Sequence, residues 1–175
     1  MSTIRCDAQE LVKIAKNLKV RDRVLLSGVV YTARDAAHKR MLASMKEGEA
    51  PPFPIKGASI YYAGPTPARE GMAIGSCGPT TSGRMDVFAP FLLDEGLVCM
   101  IGKGPRKAEV VEAIKRNHAV YLCAIGGAGA LACKCIKSCE VIAYEDLGCE
   151  SVKRLTLCDF PLIVGIDCQG GNIFN

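Results

Sequence analysis

The segment Gly78-Pro79-Thr80-Thr81-Ser82-Gly83-Arg84-Met85-Asp86 combines turn formers, three hydroxyls, an arginine and an acid. Its proline and glycines favour a tight loop. Thr81 or Ser82 is a suitable N-cap for a helix that begins near Arg84. Backbone N–H groups, hydroxyls and a guanidinium would then meet at the positive end of the helix dipole, where a carboxylate or phosphate binds well. The alternative is an ordinary capped helix start with a solvated arginine.

Apolar runs on both sides of this segment resemble buried strands, and helical patterns separate several of them. The predicted strands are 23–31, 58–63, 97–101, 119–125, 141–144, 152–157 and 162–167. The predicted helices are a short one within 7–19, then 32–46, 84–96 with an interruption at Pro90, 106–117 and 128–137. Strands this apolar indicate burial on both faces. We therefore predict one mixed α/β domain over residues 1–175.

The composition argues against several classes of protein. Of the 175 residues, 49% are hydrophobic and 23% are charged, which is typical of a folded domain and not of a disordered chain. The net charge of +4 is modest, and the basic residues are scattered and not interleaved with aromatics, which argues against nucleic-acid binding. No apolar run is long enough for a membrane span, and the N-terminus does not resemble a signal peptide. We expect a cytoplasmic protein.

The ten cysteines suggest reduced thiols more than a disulfide framework. Four lie in apolar, strand-like runs and are predicted to be small buried hydrophobes: Cys99, Cys123, Cys158 and Cys168. The dense group Cys133, Cys135 and Cys139 has the spacing of a possible metal site. In the predicted helix, however, Cys133 and Cys135 point to different faces, and no fourth ligand is suitably spaced. We therefore predict no metal site in this chain.

Two further cations follow predicted strands. Thr32 and Asp35 have the spacing of a capping box, which would place Arg34 in the first turn of a helix. A cation there opposes the helix dipole unless an anion lies nearby. His38 falls on the same face four residues on, where a packed or surface histidine is the alternative. Lys103 lies in Gly102-Lys-Gly-Pro105, a turn too short for a P-loop, so an exposed loop lysine is its alternative.

Arg34, Arg84 and Lys103 share one feature, because each follows a strand in a glycine-rich loop or an early helical turn. Ligands of α/β proteins gather at such strand ends. Two arginines can each bind one carboxylate in bidentate fashion, and a lysine adds a compact point charge. The residues themselves thus predict a site for a small dicarboxylate.

The same residues carry a resemblance to a known family. The resembling segments are Tyr31-Thr-Ala-Arg-Asp-Ala-Ala-His-Lys-Arg40, Ile60-Tyr-Tyr-Ala-Gly-Pro65, Gly78-Pro-Thr-Thr-Ser-Gly-Arg-Met-Asp86, Ile101-Gly-Lys-Gly104 and Ala124-Ile-Gly-Gly-Ala-Gly129. From about residue 20 to the C-terminus the chain resembles the β subunit, or C-terminal domain, of class I iron–sulfur fumarate hydratases. The L-tartrate dehydratase β subunit shares much of the pattern, but the first segment, together with Asp86 after Arg-Met, is more similar to fumarase.

This resemblance implies a swivelling β/β/α fold with a central barrel-like mixed sheet flanked by helices. It implies reversible addition of water to fumarate, giving L-malate, at a [4Fe-4S] cluster held by cysteines of a partner α subunit. None of the cysteines here falls on a cluster-binding position. The resemblance also implies a dimer of heterodimers, whereas the isolated chain could self-associate as a homodimer through the surface that its partner covers. Neither subunit alone should hydrate fumarate.

The family's functional residues map onto seven positions of this chain. Substrate binding is implied for Arg34, Thr80, Thr81, Arg84 and Lys103, and support of Arg34 for Asp35 and His38. Thr80 would be the catalytic base, which requires a neighbouring carboxylate on the partner because a hydroxyl is a weak base alone. Its alternative role is a hydrogen-bonding positioner. Competing functions are an L-tartrate dehydratase, a non-catalytic dicarboxylate-binding module, and an autonomous metalloprotein that uses Cys133, Cys135 and Cys139.

Overall fold

The computed structural model describes residues 2–125 and 129–175. The strands are β1 (Thr3–Asp7), β2 (Arg23–Thr32), β3 (Ser59–Tyr61), β4 (Cys99–Gly102), β5 (Val120–Cys123), β6 (Ile136–Ala143) and β7 (Val152–Ile166). The α-helices are α1 (Leu11–Ile14), α2 (Asp35–Lys46), α3 (Ala89–Asp94), α4 (Ala108–Arg116) and α5 (Gly129–Ala132). Short 3₁₀ helices span Ala8–Glu10, Ala15–Asn17, Ser82–Met85, Cys133–Cys135 and Glu145–Glu150.

Five of the strands close into a barrel. Parallel pairing joins β2 to β3, β3 to β4 and β4 to β5. The long strand β7 then runs antiparallel to β5 and returns to β2, which closes the ring. Strand β1 pairs in parallel with residues 23–27 of β2, and β6 pairs antiparallel with the first half of β7. The predicted mixed α/β fold, a barrel-like sheet flanked by helices, is confirmed.

The central strands are buried on both faces, which explains their nearly continuous apolar sequences. One hydrophobic cluster contains alternate residues of the barrel strands, among them Val24, Ile101, Leu122, Leu155 and Val164. The second cluster contains the intervening residues together with side chains of α2, α3 and α4, among them Ile60, Met100, Tyr121, Met41, Leu92 and Ile114. The period of two residues in each strand thus divides the core into two layers.

Strand β7 is one continuous element where the sequence predicts two strands. The register against β2 shifts between Leu26 and Gly28, so that Cys158 and Asp159 bulge out of the ladder. Asp159 has a positive φ of 48°. The bulge absorbs the polar interruption that separates the two apolar runs, and the prediction of separate strands is wrong for that reason.

Three helix predictions are also wrong in detail. Helix α2 begins at Asp35 with Arg34 as its N-cap, and no side chain caps it, so the capping box from Thr32 does not form. Pro90 lies in the first turn of α3 and does not interrupt a longer helix. The helix predicted over 128–137 ends with the 3₁₀ turn at Cys135, and Ile136 already begins β6. Residues 126–128, which include the first residue of this predicted helix, lie outside the described residues.

The hydroxyl of Thr32 has a different use. It lies at the end of β2 and accepts a hydrogen bond from the backbone N–H of Lys153 at 3.1 Å, and it donates to the carbonyl of Ser151 at 3.4 Å. Both partners belong to the far end of the chain.

In the described part of the chain, every helix is too short or too polar to cross a bilayer.

Candidate active site

The carboxyl ends of the parallel strands β2, β3 and β4 meet at one edge of the barrel. Arg34 comes two residues after the end of β2, and Lys103 comes directly after β4. Between them, Tyr62 and Gly64 follow β3. The N–H of Ala33 donates to the carbonyl of Tyr61 at 3.2 Å, which extends the β2–β3 pairing as far as the start of the arginine loop. Strand order therefore brings Arg34 and Lys103 to the same edge.

The segment 78–86 crosses this edge and is hydrogen-bonded to the ends of two strands. The N–H of Thr80 donates to the carbonyl of Tyr62 at 2.7 Å, and the N–H of Ser82 donates to the carbonyl of Lys103 at 2.9 Å. The backbone N–H of Lys103 donates to Ser82 Oγ at 3.0 Å, and Thr81 forms a β-bridge with Lys103. The structure thus places Thr81 beside Lys103 and Thr80 beside Tyr62. Thr80 and Lys103 are half-buried, and Thr81 is exposed.

The helix predicted from Arg84 to Gly96 does not begin there. A 3₁₀ turn over Ser82–Met85 comes first, with Thr81 as an N-cap that makes no side-chain capping bond. A single such turn has little dipole, so the helix dipole contributes little at this segment. Arg84 lies on this turn and is exposed, beside the edge that Arg34 and Lys103 share.

Gly102 lets the segment approach β4 this closely. A Cβ atom on Gly102 would overlap Ser82 Oγ and would lie 2.9 Å from Cδ2 of Tyr62. The hydroxyl of Tyr121 lies 2.8 Å from Ser82 Oγ and 2.9 Å from the carbonyl of Gly104, so Ser82 is held from two sides. Ser82 therefore anchors the segment, while its neighbours Thr80 and Thr81 stay accessible.

A buried ion pair fastens the other end of the segment. Asp86 Oδ1 accepts from Arg106 Nε at 2.6 Å, and Asp86 Oδ2 accepts from the N–H of Lys107 at 2.7 Å. The side chains of Asp86 and Arg106 are 1% and 0% exposed, so the pair is completely desolvated. The Arg106 guanidinium lies against the rings of Tyr62 and Tyr121, with 5.3 and 4.8 Å between Cζ and the ring centroids. Cation–π contacts and two tight hydrogen bonds offset the cost of this burial.

Sequence reasoning did not identify Arg106 or Tyr121 as part of the site. The sequence contains one signal for Arg106. An acid, Asp86, ends the segment 78–86, and a base, Arg106, follows the turn that carries Lys103, so the two could pair beside the predicted site. Arg106 and Tyr121 are both buried. They act by holding the loop in place.

The Arg34 side chain is 23% exposed and lies between two carboxylates. Its Nε is 3.6 Å from Glu150 Oε1 and 3.9 Å from Asp35 Oδ1. Neither contact is a hydrogen bond, and within residues 2–125 and 129–175 the buried Nε has no such partner. A Cβ on Gly64 would approach the Arg34 Cδ at 3.1 Å, so this glycine leaves room for the side chain. The guanidinium is thus oriented by charge and by packing.

His38 and Asp35 contact Arg34 in different ways. The Nδ1–H of His38 donates to the main-chain carbonyl of Arg34 at 2.8 Å. Burial lowers the pKa of His38 to about 4, and the positive charge of Arg106 acts in the same direction, so the ring is neutral near pH 7. His38 therefore fixes the backbone of Arg34, whereas Asp35 lies beside its guanidinium.

The cysteines are free thiols. Cys99 is buried as predicted, but Cys158 is exposed, because the β7 bulge turns it outward, and Cys123 and Cys168 are half-buried. Cys133 is buried in its 3₁₀ turn, and Cys139 lies on β6. Among the described residues no three His, Cys, Asp or Glu side chains converge as metal ligands would. Cys133, Cys135 and Cys139 thus do not fit an iron–sulfur cluster.

Comparison with known proteins adds a family assignment to this geometry. The sequence model of the family described as fumarase C-terminus matches residues 1–175. The aerobic class I fumarate hydratase of Escherichia coli K12 is 39% identical over 168 residues, which are 95% of this chain and 31% of that protein. Fumarate hydratase 2 of Leishmania major is 39% identical over 158 residues, 89% of this chain and 28% of that protein.

A third relative has nearly the same length as this chain. The protein assigned as L(+)-tartrate dehydratase subunit beta in Methanocaldococcus jannaschii is 38% identical over 168 residues, 93% of this chain and 86% of that protein. The chain spans about a third of the length of the fumarate hydratases that it matches.

Proposed function

The chain belongs to the fumarase C-terminus family, and on that basis we propose that it is the carboxylate-binding half of a hydro-lyase that interconverts fumarate and L-malate. One observation carries the proposal. The Gly78–Asp86 segment is hydrogen-bonded across the ends of β3 and β4, beside the end of β2 from which Arg34 extends. Threonine hydroxyls and the two cations Arg34 and Lys103 therefore share one edge, which suits a small dianion.

The cations have a catalytic task beyond binding. When a proton leaves the carbon next to a carboxylate, negative charge moves onto that carboxylate. An arginine or lysine at the carboxylate stabilises this charge more in the transition state than in the bound substrate. We assign one substrate carboxylate to Arg34 and the other to Lys103 with Arg84, because Lys103 and the turn that carries Arg84 are joined through Ser82.

Thr80 is proposed to touch the reacting carbon. Its backbone N–H donates to the carbonyl of Tyr62, the residue is half-buried, and its neighbour Thr81 forms a β-bridge with Lys103. A threonine removes a proton only if a carboxylate takes over the hydroxyl proton and nearby cations stabilise the alkoxide. Lys103 and Arg84 are suitable cations, and the carboxylate is expected on the partner. As a positioner, Thr80 would instead hydrogen-bond the substrate while the partner supplies the base.

We propose that the [4Fe-4S] cluster implied by the family resemblance resides on the partner α subunit. The arrangement of cysteines, histidines and carboxylates in the described residues does not fit it. When bound there, the cluster would supply a Lewis acid at the hydroxyl that leaves malate. This chain would supply the carboxylate clamp and Thr80, so the two subunits, assembled as a dimer of heterodimers, would be active only together.

L-tartrate is the second candidate substrate. The relative that matches this chain over most of both lengths is assigned as an L(+)-tartrate dehydratase subunit. Tartrate differs from malate by one hydroxyl, and a site that hydrogen-bonds this hydroxyl discriminates strongly between the two. Competition between L-malate and L-tartrate in the assembled enzyme separates these candidates.

The test is anaerobic co-purification of this chain with its cluster-bearing partner, followed by measurement of iron content and fumarate hydration. We expect activity in the complex and none in the separated chain. Lys103→Ala or Arg34→Ala should lower kcat/KM by about 10- to 150-fold, the effect of removing a charged hydrogen bond worth roughly 1.5–3 kcal/mol. Lys115→Ala is the matched control, because Lys115 is an exposed lysine that pairs only with Glu112 in the described residues.

Three results would contradict the proposal or a part of it. Activity in the isolated, iron-free chain would show that no partner is needed. Binding of malate by a chain that purifies without any cluster-bearing protein would instead favour the non-catalytic dicarboxylate-binding module. Equal kcat/KM values for Lys103→Ala and Lys115→Ala would remove Lys103 from the site.

A further inference from the structure

Two cysteines outside the candidate active site flank one end of the β6–β7 ladder. Cys135 ends a 3₁₀ helix immediately before β6, and Cys158 lies within β7. Strands β6 and β7 are antiparallel, and the first residue of β6, Ile136, pairs with Leu157. Cys135 and Cys158 are the next residues beyond this last pair, one on each side of the ladder.

The environment of the two thiols agrees with this register. Ile136 and Leu157 are 4% and 2% exposed, so the last ladder pair faces the core. The next residues are more accessible, since Cys135 is half-buried and Cys158 is exposed. The Sγ of Cys135 lies 4.0 Å from the carbonyl oxygen of Asp159, the residue directly after Cys158. Cys135 thus leans toward the bulge that carries Cys158.

The spacing of opposed residues suits a covalent bond. Directly opposed residues of antiparallel strands have Cα atoms about 4.5–5.5 Å apart. Disulfides form at Cα separations of about 4.4–6.8 Å. We propose that Cys135 and Cys158 are a dithiol modification site, which a small disulfide such as oxidised glutathione closes into an intramolecular disulfide.

The reaction is balanced by two thiol–disulfide exchanges. The exposed Cys158 thiolate attacks one sulfur of oxidised glutathione, which forms a mixed disulfide and releases one glutathione thiolate. The Cys135 thiolate then attacks the protein sulfur of this mixed disulfide and expels the second glutathione. Two protein thiols are oxidised, and one glutathione disulfide is reduced to two thiols. Cys158 reacts first because it is exposed, whereas Cys135 is half-buried and its burial raises the pKa of its thiol.

The bond would close the β6–β7 hairpin at its base. The connection at the other end of this hairpin is the 3₁₀ helix Glu145–Glu150, which brings Glu150 to 3.6 Å from Arg34. The hairpin would then be covalently tied at the end distant from that contact. A cross-link across these residues restricts the unfolded chain, so oxidation should raise the melting temperature.

The experiment treats the reduced, native full-length chain with oxidised glutathione, blocks the remaining thiols by alkylation, and digests it with trypsin and an Asp-specific protease without reduction. Cleavage after Lys134, Lys137 and Arg154 and before Asp159 separates both cysteines from the other eight. We expect one cross-linked species that joins residues 135–137 to residues 155–158. It should be absent from Cys135→Ser and Cys158→Ser and retained in Cys149→Ser, which removes an exposed cysteine outside this ladder.

The wild-type peptide map decides the matter even if a serine variant fails to fold. A stable glutathione adduct on Cys158 beside an alkylated Cys135 would overturn the proposal, since it would show that the second thiol is out of reach. A link from either cysteine to any third cysteine, or a covalent dimer through Cys158, would overturn it equally.

Discussion

His38 should make the stability of this protein depend on pH between about 4 and 6.5. The folded chain buries the ring, and this desolvation lowers its pKa from 6.5 to about 4. The unfolded chain therefore takes up the proton first when the pH falls. Unfolding is coupled to proton uptake between these two values, so the stabilisation is complete above pH 6.5 and is lost as the pH approaches 4.

The size of the effect follows from the two pKa values. Each unit of difference corresponds to about 1.4 kcal/mol, so the free energy of unfolding should fall by about 2 kcal/mol at pH 5 and about 3 kcal/mol at pH 4. Losses of this size are a large fraction of the stability of a typical domain. Below pH 4 this contribution stops changing, because both states then carry the proton.

The assay is urea unfolding of the isolated chain at several pH values between 7.5 and 4, with the wild type, His38→Asn and His118→Asn compared. Asparagine at position 38 can still donate to the Arg34 carbonyl but does not titrate. Between pH 7.5 and 4, the free energy of unfolding should fall by about 2–3 kcal/mol less in His38→Asn than in the wild type. His118→Asn is the matched variant at the other histidine, because His118 is exposed with a positive φ of 52°, a conformation that asparagine tolerates. Identical slopes for the wild type and His38→Asn would refute the reasoning.

Two further predictions concern the anchors of the Gly78–Asp86 segment, and both are measured by urea unfolding. Asp86→Asn should cost about 3–5 kcal/mol because it leaves the Arg106 charge buried and unpaired, whereas Asp94→Asn, in an ion pair that is half exposed, should cost at most about 1 kcal/mol. Equal costs would contradict the desolvation argument. Gly102→Ala should destabilise by about 1–3 kcal/mol through overlap with Ser82, whereas Gly83→Ala, where the nearest atom is 3.9 Å from the new Cβ, should change stability by less than about 0.5 kcal/mol. A neutral Gly102→Ala would mean that the segment does not lie against β4.

Local sequence signals were reliable where a strand is buried on both faces. The apolar runs at 23–31, 97–101 and 119–125 correspond to β2, β4 and β5, because such a run has few other stable environments. The run at 152–157 was separated from its continuation by Cys158 and Asp159. A bulge accommodates those two residues against β2, and a bulge depends on the partner strand, which the local sequence does not reveal.

The role of Thr32 was mispredicted for a related reason. Threonine three residues before an acid is a capping signal within its own segment. The hydroxyl binds Lys153 and Ser151 instead, because β7 returns to the end of β2 more than a hundred residues later along the chain. A hydrogen-bond partner this distant along the chain overrides the local capping preference of Thr32. The sequence around Thr32 does not reveal such a partner.

By itself the sequence determined the residue types of the site and their position after strands, since the glycine-rich turns that carry Thr80 and Lys103 and the helix start that carries Arg34 are local features. Only the tertiary structure decided that these turns are neighbours. The parallel order β2, β3, β4 places their carboxyl ends side by side, and the Asp86–Arg106 pair with the Tyr121 hydroxyl holds the connecting segment there. Strand order and buried charge pairing arise from contacts between distant residues, whose free energy depends on the closed barrel and not on any one segment.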